Sequence, residues 1–118
     1  MGTIVLGYVP KPEGEAALTR AVAEAHLRGA RLIVVNTHTI GDLDTASLDE
    51  SGIDYEVRKF GSEVDPATEL IAIAQDSEAE LIVIGLRRRS PVGKLILGSS
   101  AQRILLDADC AVLAVKAT

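Results

Sequence analysis

Four short aliphatic runs, separated along the chain by segments with helical patterning, constrain the fold of this sequence more than any other feature. The runs occupy residues 4–9, 31–37, 80–85 and 111–116. They are mostly apolar rather than alternating, and runs of this length and composition are typical of strands buried on both faces of a sheet. We therefore predict a mostly parallel sheet covered by helices on both sides.

Three intervening segments carry helix signals. Residues 13–28 form an amphipathic pattern that ends at Gly29, a residue that commonly terminates helices. Asp65 and Pro66 form a helix start, since aspartate caps and proline suits the first helical position. That helix is expected to run to about residue 77, and Gly98 with Ser99 opens another that reaches about residue 107. The apolar residues expected to face inward from the three helices are Ala17, Leu18, Ala21, Val22, Ala25, Leu27, Ala67, Leu70, Ile71, Ala74, Ala101, Ile104 and Leu105.

The remaining region contributes a loop and one further strand. Residues 38–52 have weak periodicity, and we interpret them as a loop, with or without a short helical turn. Residues 53–60 alternate in polarity, which suits an edge strand. The predicted architecture is an α/β, doubly wound parallel sheet of five strands in a single domain spanning residues 1–118.

Composition excludes several classes of function. The formal net charge of −5 argues against non-specific nucleic-acid binding, which needs a basic surface. One cysteine, Cys110, excludes an internal disulfide and is expected to be a small buried hydrophobe. No apolar run reaches membrane-spanning length, and the N-terminus lacks the pattern of a signal peptide. A cytoplasmic protein without a membrane partner is expected.

The segment from Gly85 to Ser100 is the most informative for chemistry. It leaves a buried strand, crosses a loop with three arginines and Lys94, and enters a helix at Gly98, Ser99 and Ser100. The first amides of a helix have no internal partner, and the helix dipole adds partial positive charge, so a phosphate fits there. Ligands of doubly wound sheets also bind at the carboxyl ends of strands. The same residues are equally compatible with ordinary helix capping and a solvated basic loop.

Other residues give weaker signals. The P-loop motif is absent, because Gly93 and Lys94 are followed by Leu95. His26 and His38 form no metal motif, and the acidic residues between 42 and 50 match a calcium loop only loosely. The residues show no positioned catalytic base, nucleophile or acidic metal pair, so an enzyme is not predicted.

The segment from residue 85 onward resembles the universal stress protein family, and the resemblance extends over nearly the whole chain. The family signature Gly-x2-Gly-x9-Gly-Ser/Thr falls on Gly85, Arg88, Gly98 and Ser99, with three of four positions matching. The first helix and the C-terminal helix and strand are also similar to the family pattern. Two positions depart from it: Val9 stands where the family has aspartate, and Arg88 stands where it has the second glycine.

The resemblance implies an adenine-nucleotide alpha-hydrolase-like fold with strand order 3-2-1-4-5. It also implies a homodimer, through Ala111–Lys116, and a site for ATP or a related adenine nucleotide, with or without Mg²⁺. Phosphates would meet Gly98, Ser99 and Ser100, and the ribose would lie near Ile84 and Gly85. The adenine would lie near Asn36 and Thr37 and near Tyr8, Val9 and Pro10, while the guanidinium of Arg88 would bind phosphate.

Two principal functions follow from this resemblance. One is a non-catalytic regulatory domain that binds the nucleotide through the Gly-x12-Gly-Ser loop. The alternative, favoured by Val9 and Arg88, is a nucleotide-free stress-response dimer that acts through protein contacts. A phosphohydrolase or phosphotransferase ranks below both.

Overall fold

The computed structural model describes residues 2–37, 43–59, 65–87 and 98–117. Within these ranges, five strands and four helices alternate in sequence order. The strands are β1 (Thr3–Tyr8), β2 (Arg31–Asn36), β3 (Tyr55–Lys59), β4 (Leu81–Leu86) and β5 (Ala111–Lys116), and the helices are α1 (Pro12–Arg28), α2 (Ala46–Ser51), α3 (Pro66–Asp76) and α4 (Ser99–Asp107). The predicted strands and long helices are therefore all present, with ends that differ by two residues at most.

All strands pair in parallel, in the order β3-β2-β1-β4-β5. This confirms the predicted doubly wound sheet and its strand order. Because β1 lies at the centre and pairs with both β2 and β4, the winding of the chain reverses between β1 and β4. None of the helices within the described ranges is long and apolar enough to cross a bilayer.

Two apolar layers cover the two faces of the sheet. On one face, α1 packs against alternate residues of the central strands, including Ile4, Leu6 and Val34. On the other face, α3 and α4 pack against the intervening residues, including Val5 and Ile82. The alternation arises because successive side chains of a strand point to opposite faces, so a strand that is apolar throughout supplies both layers.

The segment interpreted as a loop contains the short helix α2. Its first turn is fixed by Asp44, whose Oδ1 accepts a hydrogen bond of 3.0 Å from the backbone N–H of Ala46. Leu48 is completely buried in the layer beneath α1. One anchoring leucine explains why the helix forms although the segment shows little periodicity.

Two leucines expected in the core lie at the surface instead. Leu27 is 82% exposed near the end of α1, and Leu105 is 39% exposed on α4. The prediction was wrong for α4 because the helix covers an edge of the sheet and buries one narrow stripe, which is centred on Ile104. On α3, Ile73 is buried and Ile71 only half-buried.

Candidate functional site

The carboxyl ends of β1 and β4 meet two adjoining cavities, at the place where the winding of the chain reverses. The first, of about 270 Å³, is mainly apolar and is lined by Thr37, Pro66, Leu70 and Ile84 among others. The second, of about 260 Å³, is lined by the charged residues Lys11, Glu13 and Arg87, with Gly98. We call them the apolar cavity and the charged cavity. Both are lined by Val9, Gly85, Ser100 and Ala101, so the two cavities share a boundary.

The N-terminus of α4 borders the charged cavity. Gly98 is the cap residue, with an extended backbone (φ −68°, ψ 164°) and no side-chain hydrogen bond to the first turn. The backbone carbonyl of Gly98 accepts a 3.0 Å hydrogen bond from the N–H of Gln102, which closes the first helical turn. The N–H groups of Ser99 to Ala101 therefore lack partners within the helix. By contrast, α3 is capped by Asp65, whose Oδ2 accepts from the N–H of Thr68 at 3.3 Å.

The surroundings of the two signature glycines, Gly85 and Gly98, differ. A Cβ added at Gly98 would meet no atom of the described residues within 4 Å, and the φ of Gly98 is one that any residue adopts. A Cβ added at Gly85 would overlap the backbone carbonyl of Glu13 on α1. A glycine beside a ligand site often lets the ligand approach the backbone closely. At Gly85 the space is taken by the protein's own backbone instead.

A tight turn connects β1 to α1 beside the cavities. The backbone N–H of Lys11 donates to the carbonyl oxygen of Val9 at 2.8 Å, and a Cβ at Gly14 would overlap that same carbonyl. A glycine in a helix costs up to about 1 kcal/mol relative to alanine. Gly14 is therefore explained by the close approach of the first turn of α1 to the end of β1.

Tyr8 and Thr37 are joined at the ends of β1 and β2. The Oγ1 and N–H of Thr37 donate to the carbonyl oxygen of Tyr8 at 2.9 and 3.2 Å. The phenol of Tyr8 lies in the layer beneath α1, where its hydroxyl donates to Glu15. Burial, and then that hydrogen bond, raise the pKa of Tyr8 to about 12. The backbone of Tyr8 therefore lies beside the site, while its side chain belongs to the core.

Arg103 links α4 to the start of α3. Its Nη1 donates to Oδ2 of Asp65 and to Oγ1 of Thr68, both at 2.6 Å. Since the N-termini of α3 and α4 both border the cavities, through Pro66 and Ser100, this link holds the two walls of the site together. Sequence reasoning did not identify Arg103, because the contact joins residues 38 apart in the chain.

A larger cavity of about 410 Å³ lies at the amino ends of the strands, on the other side of the sheet's length from the two joined cavities. It is lined by Gln75 and Asp109, which share a 2.9 Å hydrogen bond, and by Cys110. It adjoins the C-terminal ends of α3 and α4, where the helix dipoles disfavour anions. The carboxyl ends of β1 and β4 are therefore the better candidate site for a phosphate-bearing ligand.

Six of the predicted site residues line these cavities: Val9, Thr37, Ile84, Gly85, Gly98 and Ser100. Tyr8, Pro10, Asn36 and Ser99 lie next to lining residues in the sequence but are not themselves among them. Asn36 is buried at the end of β2, and Ser99 is exposed in the first turn of α4. Arg88 and the remaining basic loop to residue 97 lie outside the described residues.

Comparison with known proteins places this arrangement in a family. Residues 43–116 match the model of the universal stress protein family. A universal stress protein of Mycolicibacterium smegmatis is 42% identical over 127 residues, which cover 96% of each chain. The chain belongs to the universal stress protein family.

Solved structures of other universal stress proteins share this architecture. One from Archaeoglobus fulgidus superposes with a TM-score of 0.79 at 30% identity, covering 98% of this chain and 99% of that one. A second from the same organism, solved in complex with dAMP, has a TM-score of 0.72 at 23% identity and covers 98% of both chains. The first supports the family assignment in three dimensions. The second, at its lower identity, supports the fold alone.

Proposed function

We propose that this universal stress protein is a non-catalytic regulatory domain that binds ATP or a related adenine nucleotide in the joined cavities. The observation that carries the proposal is the pairing of an apolar cavity with a charged one at the uncapped N-terminus of α4. A nucleotide has the same division, with an apolar base at one end and an anionic phosphate at the other. We further propose that residues 1–118 act as one domain.

The apolar cavity suits the base. Leu70 and Ile84 offer aliphatic surface, and Pro66 at the start of α3 closes one side. Such walls bind planar rings through dispersion and desolvation, while a few polar groups fix the orientation. The hydroxyl and backbone of Thr37, with the neighbouring positions Tyr8, Pro10 and Asn36, are the proposed polar contacts.

The charged cavity suits the phosphates. The free amides of α4 at Ser99 and Ser100 point partial positive charge toward it, and the hydroxyls of both residues add donors. Lys11 and Arg87 contribute full positive charges that neutralise an anion. Arg88 is proposed as a further phosphate ligand, and Mg²⁺ as an optional companion of a di- or triphosphate.

The chemistry of the lining residues favours binding over turnover. Among the described residues that line the two cavities, Glu13 is the one carboxylate, and there is neither histidine nor cysteine. Acid–base or metal-assisted hydrolysis usually needs several such groups in mutual reach. Binding that changes the contacts of the protein with partners is therefore the function we propose.

We also propose a homodimer formed through β5. Ala111–Lys116 is an edge strand, so one row of its backbone hydrogen-bonding groups has no strand beside it. Its central residues, Val112 to Val115, are only half-buried, in contrast to the completely buried centre of β1. Sedimentation velocity tests the proposal, with twice the 12.4 kDa chain mass expected and a concentration-independent monomer as the contrary result.

The second candidate function is a nucleotide-free dimer that acts through protein contacts. It is favoured by Val9, which lies at the junction of the cavities and offers a ligand no polar side-chain group. A thermal-shift series with ATP, ADP, AMP and cyclic AMP, each with and without Mg²⁺, separates the two functions. Nucleotide that binds the folded state adds about 2.7 kcal/mol at a hundredfold excess over its Kd. A protein freed of bound ligand that shows no shift with any nucleotide favours the second function.

A further inference from the structure

The junction of the two cavities is the place where a nucleotide would put its sugar. The ribose connects the base to the phosphates, so a ligand that occupies both cavities must pass the residues they share, which include Val9 and Gly85. This inference therefore rests on the proposed nucleotide function. The sugar carries hydroxyl donors, but of the four shared residues only Ser100 has a polar side chain, and its hydroxyl is already assigned to the phosphates.

Glu13 is the one carboxylate among the described residues that line the two cavities. It follows Pro12 in the first turn of α1, and its main-chain carbonyl packs against Gly85, one of the shared residues. It also lines the charged cavity. The residue as a whole is only 7% exposed, which is unusual for glutamate.

The burial of Glu13 is not matched by hydrogen bonds within the described ranges. Its side chain makes no hydrogen bond or ion pair with another residue of those ranges, whereas buried Glu24 is held by Arg20 and Arg28. The carboxylate oxygens of Glu13 nevertheless keep access to solvent, because Arg31 Nε is the one fully buried side-chain N or O atom without a partner in the described ranges. The dipole of α1 stabilises the negative charge of Glu13, which lies in the first turn of that helix. The carboxylate oxygens are therefore open to a donor from a ligand.

We propose that Glu13 accepts hydrogen bonds from the ribose hydroxyls and so selects ribonucleotides over nucleotides whose sugar lacks them. A carboxylate accepts hydrogen bonds without donating any, which matches a pair of neighbouring hydroxyls. Dinucleotide-binding folds also use an acidic side chain to bind ribose hydroxyls, although there it follows a strand and here it lies in the first turn of α1. Lys11 and Arg87 in the same cavity keep it attractive to the phosphates despite the nearby negative charge.

The ratio of two affinities tests this role. ATP and 2′,3′-dideoxy-ATP carry the same base and the same triphosphate, so any general effect of charge or stability on binding cancels in their ratio. We expect the wild-type protein to bind ATP about tenfold more tightly than the dideoxy analogue, as one charge-assisted hydrogen bond requires. Glu13→Met keeps the length and the apolar stem but removes the acceptor, and it should bring the ratio to about one.

Glu69→Gln is the matched control. Glu69 also lies in the first turn of a helix, α3, but lines neither cavity, so its substitution should leave the ratio at the wild-type value. If Glu13→Met does not fold, Glu13→Gln replaces it, and a ratio between one and the wild-type value is then expected. Equal affinities in the wild-type protein, or an unchanged ratio in the Glu13 variant, would overturn the role of Glu13 while leaving nucleotide binding intact. Absence of binding by either nucleotide would overturn both proposals.

Discussion

The backbone of Glu13 occupies the space that a side chain at residue 85 would need. A Cβ at Gly85 would lie 2.6 Å from the carbonyl carbon of Glu13 and closer still to its oxygen. Strand β4 and the first turn of α1 are thus in direct backbone contact beside the proposed ligand site. The sheet cannot accept a larger residue there without displacing α1.

Substitution of the two signature glycines, Gly85 and Gly98, should therefore have unequal effects on stability. Gly85→Ala should lower the free energy of unfolding by about 1–3 kcal/mol, because the added methyl group forces strand and helix apart. Gly98→Ala is the control, since none of the described residues has an atom within 4 Å of the added Cβ. Urea unfolding of both variants measures the difference. Equal stabilities would mean that α1 does not pack on Gly85 as described.

Removal of the guanidinium of Arg103 should affect binding more than stability. The ion pair of Arg103 with Asp65 is about half exposed, so Arg103→Met should cost under about 1 kcal/mol in unfolding free energy. Because the link joins the start of α3 to the second turn of α4, its loss should also weaken ATP binding several-fold. Isothermal titration measures the affinity, and Arg20→Met, on the far side of α1 from this contact, serves as the control. An unchanged affinity would show that the link does not position the site.

The same contact predicts a dependence of stability on pH. Burial alone would raise the pKa of Asp65, but hydrogen bonds from Thr68 and the charge of Arg103 outweigh it and hold the pKa below its usual value. A lowered folded-state pKa stabilises the protein above the unfolded value of about 3.9, and the contribution is lost as pH falls through the folded-state value. Asp65→Asn should therefore flatten the acid limb of the stability curve. A curve of unchanged slope below about pH 4 would contradict the assignment.

Cys110 should be a slow nucleophile in the folded protein. Burial raises the pKa of its thiol, and the charge of Asp109 acts in the same direction. We expect alkylation by iodoacetamide at pH 7.5 to be much slower in the native protein than in urea. Native and unfolded rates that agree would show that the thiol is freely accessible.

Much of the fold could be predicted from local patterns. The four apolar runs and the alternating segment 53–60 indicated the five strands. The signals at Gly29 and Asp65 marked real helix ends, since Gly29 adopts a left-handed conformation and Asp65 caps α3. Exposure at the edge of the sheet was harder to predict. Leu105 appears apolar and inward-facing in sequence, but only the finished packing shows that α4 buries one stripe.

The candidate site was predicted where it depends on helix ends and missed where it depends on packing. Gly98 and Ser100 could be identified because a glycine followed by two serines is a recognisable helix start in the sequence. Glu13 could not be identified, because it is buried where α1 packs against β4. The contact joins Glu13 to Gly85, and these two residues are 72 apart in the sequence. Gly14 was the available signal, since a glycine inside an amphipathic helix usually marks a close approach.

The most direct test of the central claim is isothermal titration of ATP into the ligand-free wild-type protein and into Gly98→Val. The valine side chain would cover the first amides of α4. Because the described residues leave space around residue 98, we expect the variant to fold with a loss under about 1 kcal/mol. We predict saturable binding by the wild-type protein and at least a tenfold weaker affinity, about 1.4 kcal/mol, in the variant. A folded Gly98→Val protein that binds ATP as tightly as the wild type would contradict a phosphate site at this helix.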